Sequence, residues 1–149
     1  MLKILVVFGT RPEAIKLIPV IEELKKHPDR IETKICVTSQ HRQMLDQVLD
    51  LFGIKPDFNL DIMQENQNLQ TVTALIIQRL KQVIDELKPD WLLVQGDTTT
   101  TFVSSLSGFY SGIKVAHVEA GLRTWNKKAP FPEEITRLLT SRIADVHFA

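Results

Sequence analysis

Short apolar runs alternate along the chain with longer stretches of helical periodicity, and that alternation restricts the fold more than any single motif. Lys3–Phe8 (KILVVF), Thr33–Val37 (TKICV), Trp91–Gln95 (WLLVQ), Val115–Val118 (VAHV) and Val146–Ala149 (VHFA) read as strands. Several are almost continuously apolar, as strands are when both faces of their sheet are covered. The clearest helix runs from Leu69 to Leu87, where Val72, Leu75, Ile76, Leu80, Val83, Ile84 and Leu87 recur at helical spacing before Pro89. Arg42–Phe52, Thr99–Tyr110 and Glu133–Ile143 are shorter helical patterns. Strand, helix, strand repeated in this way requires right-handed crossovers and gives a parallel sheet flanked by helices. The expected fold is α/β and Rossmann-like. With 149 residues, 44% hydrophobic, and no repeat or Pro/Gly/Ser-rich linker, residues 1–149 form one domain. The chain stops on an apolar strand with no closing helix, so it is expected to be part of something longer.

Eighteen basic and 18 acidic residues cancel, which removes any broad electrostatic footprint for nucleic acid or an anionic membrane. An anion must therefore be held locally. The single cysteine, Cys36, has no partner for an internal disulfide, and no secretory leader or apolar run of membrane-spanning length occurs. A cytoplasmic setting is expected.

In an open parallel sheet the ligand crevice lies beyond the carboxyl ends of the strands, and four such ends carry suggestive residues. After the first strand comes GTRPEAIK, Gly9–Lys16, in which Thr10 and Glu13 have capping-box spacing and Pro12 sits in the first helical turn. Capping does not explain Arg11 and Lys16, two cations where the helix dipole disfavours them. With the helix N-terminus they make a site for phosphate or for a sugar's oxygens. Pro19 would break a regular helix interior, so this helix is expected to bend there or to start later.

After the strand at Trp91 comes QGDTTTT, Gln95–Thr101, where Asp97 serves either as a helix cap or as an acid or base. HVEAGLR follows, with Glu119 ending a buried strand and projecting toward Asp97. Carboxylates sharing a partly desolvated cleft have their pKa values pushed apart, so one can act as acid while another acts as base. PFPEE then places Glu133 and Glu134 in the first turn of a helix, where the dipole alone would favour them. Arg123, Lys127 and Lys128 read as solvated loop charges. Neither GxGxxG nor GxxxxGK[ST] is present. His27 reads as a surface-turn residue and His41 lies in the loop SQHR. His117 and His147, within strands, read as core residues. No histidine pair has metal spacing, so no metal and no cofactor are expected.

FGTRPEAIK, TSQHRQMLDQVLDLFGIKPDF, QGDTTTT, HVEAGLRT and PFPEEITR, in this order, resemble the N-terminal half of the non-hydrolysing bacterial UDP-N-acetylglucosamine 2-epimerases. The resemblance covers essentially the whole chain. It implies a glycosyltransferase-B-like fold of two Rossmann-like domains and interconversion of UDP-N-acetylglucosamine with UDP-N-acetylmannosamine for cell-surface polysaccharides. It further implies Arg11 and Lys16 as substrate-binding residues, Asp97, Glu119 and Glu133 as essential carboxylates, and a homodimer. Gln40 and Gln43 match positions that contact a second UDP-N-acetylglucosamine acting as activator. Two positions depart from the family pattern: Asn66 stands where regulated relatives carry arginine, and Trp125 where glycine is usual. The C-terminal nucleotide-binding domain, with its active-site histidine, has no counterpart in these residues, and the chain alone is expected to be inactive. The hydrolysing epimerases and related two-domain glycosyltransferases are the alternatives.

Overall fold

The computed structural model describes residues 1–39 and 42–149. Among the described residues six parallel strands, β1 (Leu2–Phe8), β2 (Ile31–Val37), β3 (Phe58–Asn59), β4 (Trp91–Gln95), β5 (Lys114–Val118) and β6 (Val146–Phe148), lie in the order β3-β2-β1-β4-β5-β6. Five helices connect them: α1 (Arg11–Lys25), α2 (Arg42–Leu51), α3 (Leu69–Leu87), α4 (Thr99–Tyr110) and α5 (Glu133–Ile143). The expected Rossmann-like architecture is present.

Alternation along the central strands feeds two cores. Leu5 and Val7 of β1 join Leu92, Val94 and Val115 beneath α3 and α4, whereas Val6 and Phe8 join Ile35 and Val37 beneath α1 and α2. In α3, the inward stripe Val72, Ile76, Leu80, Val83, Ile84 and Leu87 is buried, each side chain contributing about 1.5–3 kcal/mol. That helix starts on an Asn68 cap, whose side chain accepts from Thr71 N–H at 2.8 Å, and ends on Lys88 in the left-handed region.

Three expectations change. The two-residue β3 escapes the periodicity, since only half-buried Phe58 and exposed Asn59 form it. Helix α1 does not start late: it begins at Arg11 and runs on through Pro19. Both Pro19 and Ile15, whose carbonyl lacks its usual donor, lie on the exposed face, so water can take the missing bond. His147 is exposed, not core, because β6 is the edge strand; its ring nitrogen bonds the Ser141 carbonyl at 2.8 Å.

The strand order reverses direction between β1 and β4, and there the pairing of two long central strands is cut short. Strands β1 and β2 pair over seven residues, but β1 and β4 pair only from Ile4↔Trp91 to Val6↔Leu93. Outside that junction the ladders run on past the strand ends, with Thr38 N–H on the Phe8 carbonyl and Gly96 N–H on the Val118 carbonyl, both at 3.0 Å. The sheet therefore splays at its centre, at the carboxyl ends of the strands, which is where such folds bind ligands. On the α1 side, a separate groove of about 600 Å³ lies over the uncovered half of the sheet, lined by apolar residues such as Leu2, Trp91, Leu93, Val118 and Phe148. None of the candidate polar residues lines it. Cys36 is buried, and burial pushes its thiol up to about 12. No helix is long and apolar enough to cross a membrane among the described residues.

Gly9 is dictated by the close approach at the splay. A Cβ there would stand 2.0 Å from Thr38 Oγ1 and 2.8 Å from Thr100 Oγ1. Replacement of Gly9 by Ala is expected to lower unfolding stability by about 1–3 kcal/mol in urea titrations, with partial recovery in the double variant Gly9→Ala/Thr38→Ala, which removes the nearer contact.

Candidate active site

Two sequence-distant turns are tied together below the splay. Glu13, expected as the far half of a capping box, does reach back to Thr10 N–H at 2.8 Å and Gly9 N–H at 3.1 Å. It is also buried, and its other oxygen accepts from Thr98 Oγ1 at 2.8 Å, with Thr101 Oγ1 3.3 Å away. Burial raises the Glu13 carboxyl above its usual range, against the lowering effect of these donors. Four successive threonines are a poor helix start by propensity, but here each described hydroxyl contact has a use. Thr98 caps α4 by accepting from Thr101 N–H, Thr100 meets Thr38 at 3.1 Å, and Thr101 also donates to the Gln95 carbonyl at 2.6 Å.

Because Thr98 is the cap, Asp97 is not, and the helix-cap reading of Asp97 falls away. Its Oδ2 accepts from Arg137 Nη2 at 2.9 Å, and its carbonyl accepts from the Thr136 hydroxyl. Glu119, at the end of β5, adopts a left-handed backbone with φ 61, uncommon for a residue with a long side chain. The Lys16 ammonium and the Gln95 amide both donate to its Oε2, and its carbonyl accepts from Arg137 Nη1. Burial raises the Glu119 carboxyl, but the Lys16 bond and charge, the Arg137 charge and the Gln95 bond outweigh it, and the net shift is downward. Glu119 is thus poised as a carboxylate.

Glu133 opens α5, half-buried, with Oε2 buried and unpartnered among the described residues. Thr136, in the same turn, links that turn to Asp97. Arg11 is exposed at the first position of α1. Asp97, Glu119, Lys16 and the start of α5 therefore meet at the splay. Gln43 does not line this cluster: it stands on α2 in a groove of about 510 Å³ with Arg42, Met44, Asp46 and Met63. Gln40 and His41 lie outside the described residues. Among the described residues no group of three or more His, Cys, Asp or Glu side chains could hold a metal ion.

Sequence reading missed Gln95 and Arg137, and it misplaced Arg123. Gln95 was signalled by a polar residue closing an otherwise apolar strand, and Arg137 by its position one turn after Glu133. Arg123 is not a solvated loop charge. Its guanidinium pairs with buried Glu134 at 2.7 and 2.9 Å and lies 4.2 Å from the Trp125 ring centroid. Glu134 also accepts from the backbone N–H groups of Thr124 and Trp125. It therefore pins the loop that joins Glu119 to Glu133. Lys127 and Lys128 are exposed, as expected. Trp125, at a position where the resemblance leads one to expect glycine, has φ 63.

The sequence profile of the UDP-N-acetylglucosamine 2-epimerase family matches residues 22–149. The chain belongs to that family. It is 60% identical over 148 residues to the UDP-N-acetylglucosamine 2-epimerase of Bacillus subtilis, covering 99% of this chain and 39% of that protein. The crystal structure of the Neisseria meningitidis UDP-GlcNAc 2-epimerase bound to UDP-GlcNAc superposes with TM-score 0.94 at 58% identity, over 99% of this chain and 40% of that one. MurG of Acinetobacter baumannii, at 17% identity and TM-score 0.70 over 99% of this chain and 40% of its own, shares the fold. The chain thus spans about two fifths of the length of the family members it matches.

The Glu134 cluster predicts an acid transition confined to the loop. Hydrogen bonding from Arg123, then from Thr124, holds the Glu134 carboxyl at about 2, below its ordinary value of 4.5. A depressed carboxyl stabilises the fold above its unfolded pKa, and that contribution is lost as pH falls through the folded value. The Trp125 indole resonance is expected to hold its position down to about pH 4.5 and to move as pH falls toward 2. Glu134→Gln should abolish that step in NMR titrations.

Proposed function

We propose that this chain supplies one wall of the active site of a non-hydrolysing epimerase that interconverts UDP-N-acetylglucosamine and UDP-N-acetylmannosamine. The observation that carries the reading is the convergence of Glu119, held as a carboxylate between Lys16 and Gln95, with Asp97 and the Glu133 turn at one sheet mouth. Family membership, and a relative's structure bound to UDP-GlcNAc, support the substrate class.

The C2 proton of the sugar is weakly acidic, so its removal needs a positioned base and a stabilised leaving group. A carboxylate takes the C2 proton while the C1–O bond to UDP breaks, the C2 electron pair forming the C1=C2 bond of a 2-acetamidoglucal. Re-addition of UDP at C1, with protonation of C2 from the opposite face, gives the epimer. Glu119 and Glu133 act as the acid/base pair on this reading, Asp97 orients the sugar, and Arg11 and Lys16 hold the pyrophosphate. Lys16 then exchanges its bond to Glu119 for a phosphate oxygen, which weakens the hold on the Glu119 proton affinity as substrate enters.

A C-terminal domain is needed to bind the nucleotide, so the 149-residue chain alone does not turn over. Gln43, with Gln40, contacts an activator nucleotide sugar in regulated members, and the loss of arginine at Asn66 weakens that role here. The expected setting is a cytoplasmic homodimer feeding polysaccharide synthesis.

The test is a chimera in which this chain replaces the matching part of the Bacillus subtilis relative. It should convert UDP-N-acetylglucosamine in heavy water with one deuterium incorporated at C2, and Glu119→Gln and Glu133→Gln should each lose about 10²–10⁴-fold in kcat. Release of free N-acetylmannosamine with UDP would indicate a hydrolase, and transfer without C2 exchange a glycosyltransferase; either would overturn the reading.

A further inference from the structure

Helix α5 sends a cation into the base of the carboxylate cluster from beneath. Arg137 is 3% exposed, although it carries a permanent charge. A buried guanidinium persists only where its donors are matched. Here two different nitrogens are used on two different strand ends: Nη2 donates to Asp97 Oδ2 after β4, and Nη1 donates to the Glu119 carbonyl after β5. The second bond falls on the residue whose φ is 61. A left-handed glutamate is strained by its own Cβ, and it persists when the surroundings over-determine it. One over-determining contact is the Arg137 bond to the carbonyl, and another is the Ala120 N–H on the Phe148 carbonyl at 3.0 Å. Side-chain direction follows backbone: with φ set this way, the Glu119 carboxylate meets Lys16 of α1 and Gln95 of β4.

His117 makes the charge arrangement consistent. It is buried two residues before Glu119, with its Nε2 bonded to the Gly96 carbonyl at 2.6 Å. Its pKa is lowered first by burial, with Arg137 also lowering it, and its Nδ1 is buried without a partner among the described residues. The imidazole is therefore neutral, and Arg137 is the buried cation between the two strand ends.

We infer that Arg137 is a positioning residue for the reaction, fixing the Asp97 carboxylate and the left-handed backbone of Glu119 with one planar fork. The inference rests on the proposed roles of Asp97 and Glu119. It makes geometry, not charge alone, the contribution of Arg137: a lysine ammonium is a point donor that cannot reproduce two divergent, fixed N–H directions.

Arg137→Met and Arg137→Lys separate these contributions. In the 149-residue chain, NMR titration of Arg137→Met should show the Glu119 carboxyl and the His117 imidazole both titrating higher, because a positive charge has gone. The Glu119 Cα and carbonyl shifts should leave their left-handed values. Arg137→Lys should restore the titrations but not those shifts. In the chimera, both variants should lose roughly 100-fold in kcat, with KM within about threefold of the parent, the signature of a lost transition-state alignment. Unchanged kcat in Arg137→Met, or full recovery in Arg137→Lys, would overturn the inference. Should Arg137→Met lose cooperative unfolding, Arg137→Gln and Arg137→Lys carry the same comparison. An inactive parental chimera would sink the epimerase reading, while the titrations and shifts would still decide whether Arg137 sets the two strand ends.

Discussion

A single buried carboxylate, Glu13, holds the centre of this domain together. Its two oxygens collect donors from Gly9, Thr10 and Thr98, which belong to the turns after β1 and after β4. An unpartnered ionised carboxylate at this depth would be very costly, so donors must surround it on all sides. Satisfying them locks two helix N-termini in mutual register. The positions of Lys16, one turn along α1, and of Asp97, just before the α4 cap, follow from that lock.

Above that lock, polar side chains act in pairs that cross elements. Lys16 and Gln95 hold the side chain of Glu119 from the α1 and β4 sides, Arg137 holds its backbone from α5, and Thr136 holds the Asp97 backbone. Arg123 and Glu134 do the same for the connecting loop. The charge density from Glu119 to Glu134, three acidic and three basic side chains among sixteen residues, is therefore divided among different tasks. One pair anchors, one carboxylate ends a strand in the cleft, one opens a helix, and two lysines face solvent.

The sheet was readable because several of its strands, covered by helices, are written as almost continuous apolar runs. Helices α3, α4 and α5 were readable to the residue from periodicity and their terminal signals. What escaped depends on three-dimensional neighbours. Strand β3 is too short for a period. Nothing local marks β6 as the edge, and so His147 was assigned inward. Asp97 and Glu119 were visible because acidic residues just after strand ends stand out, whereas Glu133, in a first helical turn that favours acids anyway, was singled out only by the family resemblance. Gln95 and Arg137 were not visible, since an amide and a helical arginine look ordinary until their partners are known. The left-handed conformation of Glu119 contradicts local preference, as functional sites often do.

The short β1–β4 ladder has a consequence for how this domain can vary. Its cleft is parted by the main chain, where two neighbouring strands simply cease to pair after Val6 and Leu93. Loops of other folds must be long to build a basin, and they lose it when trimmed. Here side chains furnish the basin without creating it, so replacements along its rim can change what it accepts while the opening itself endures.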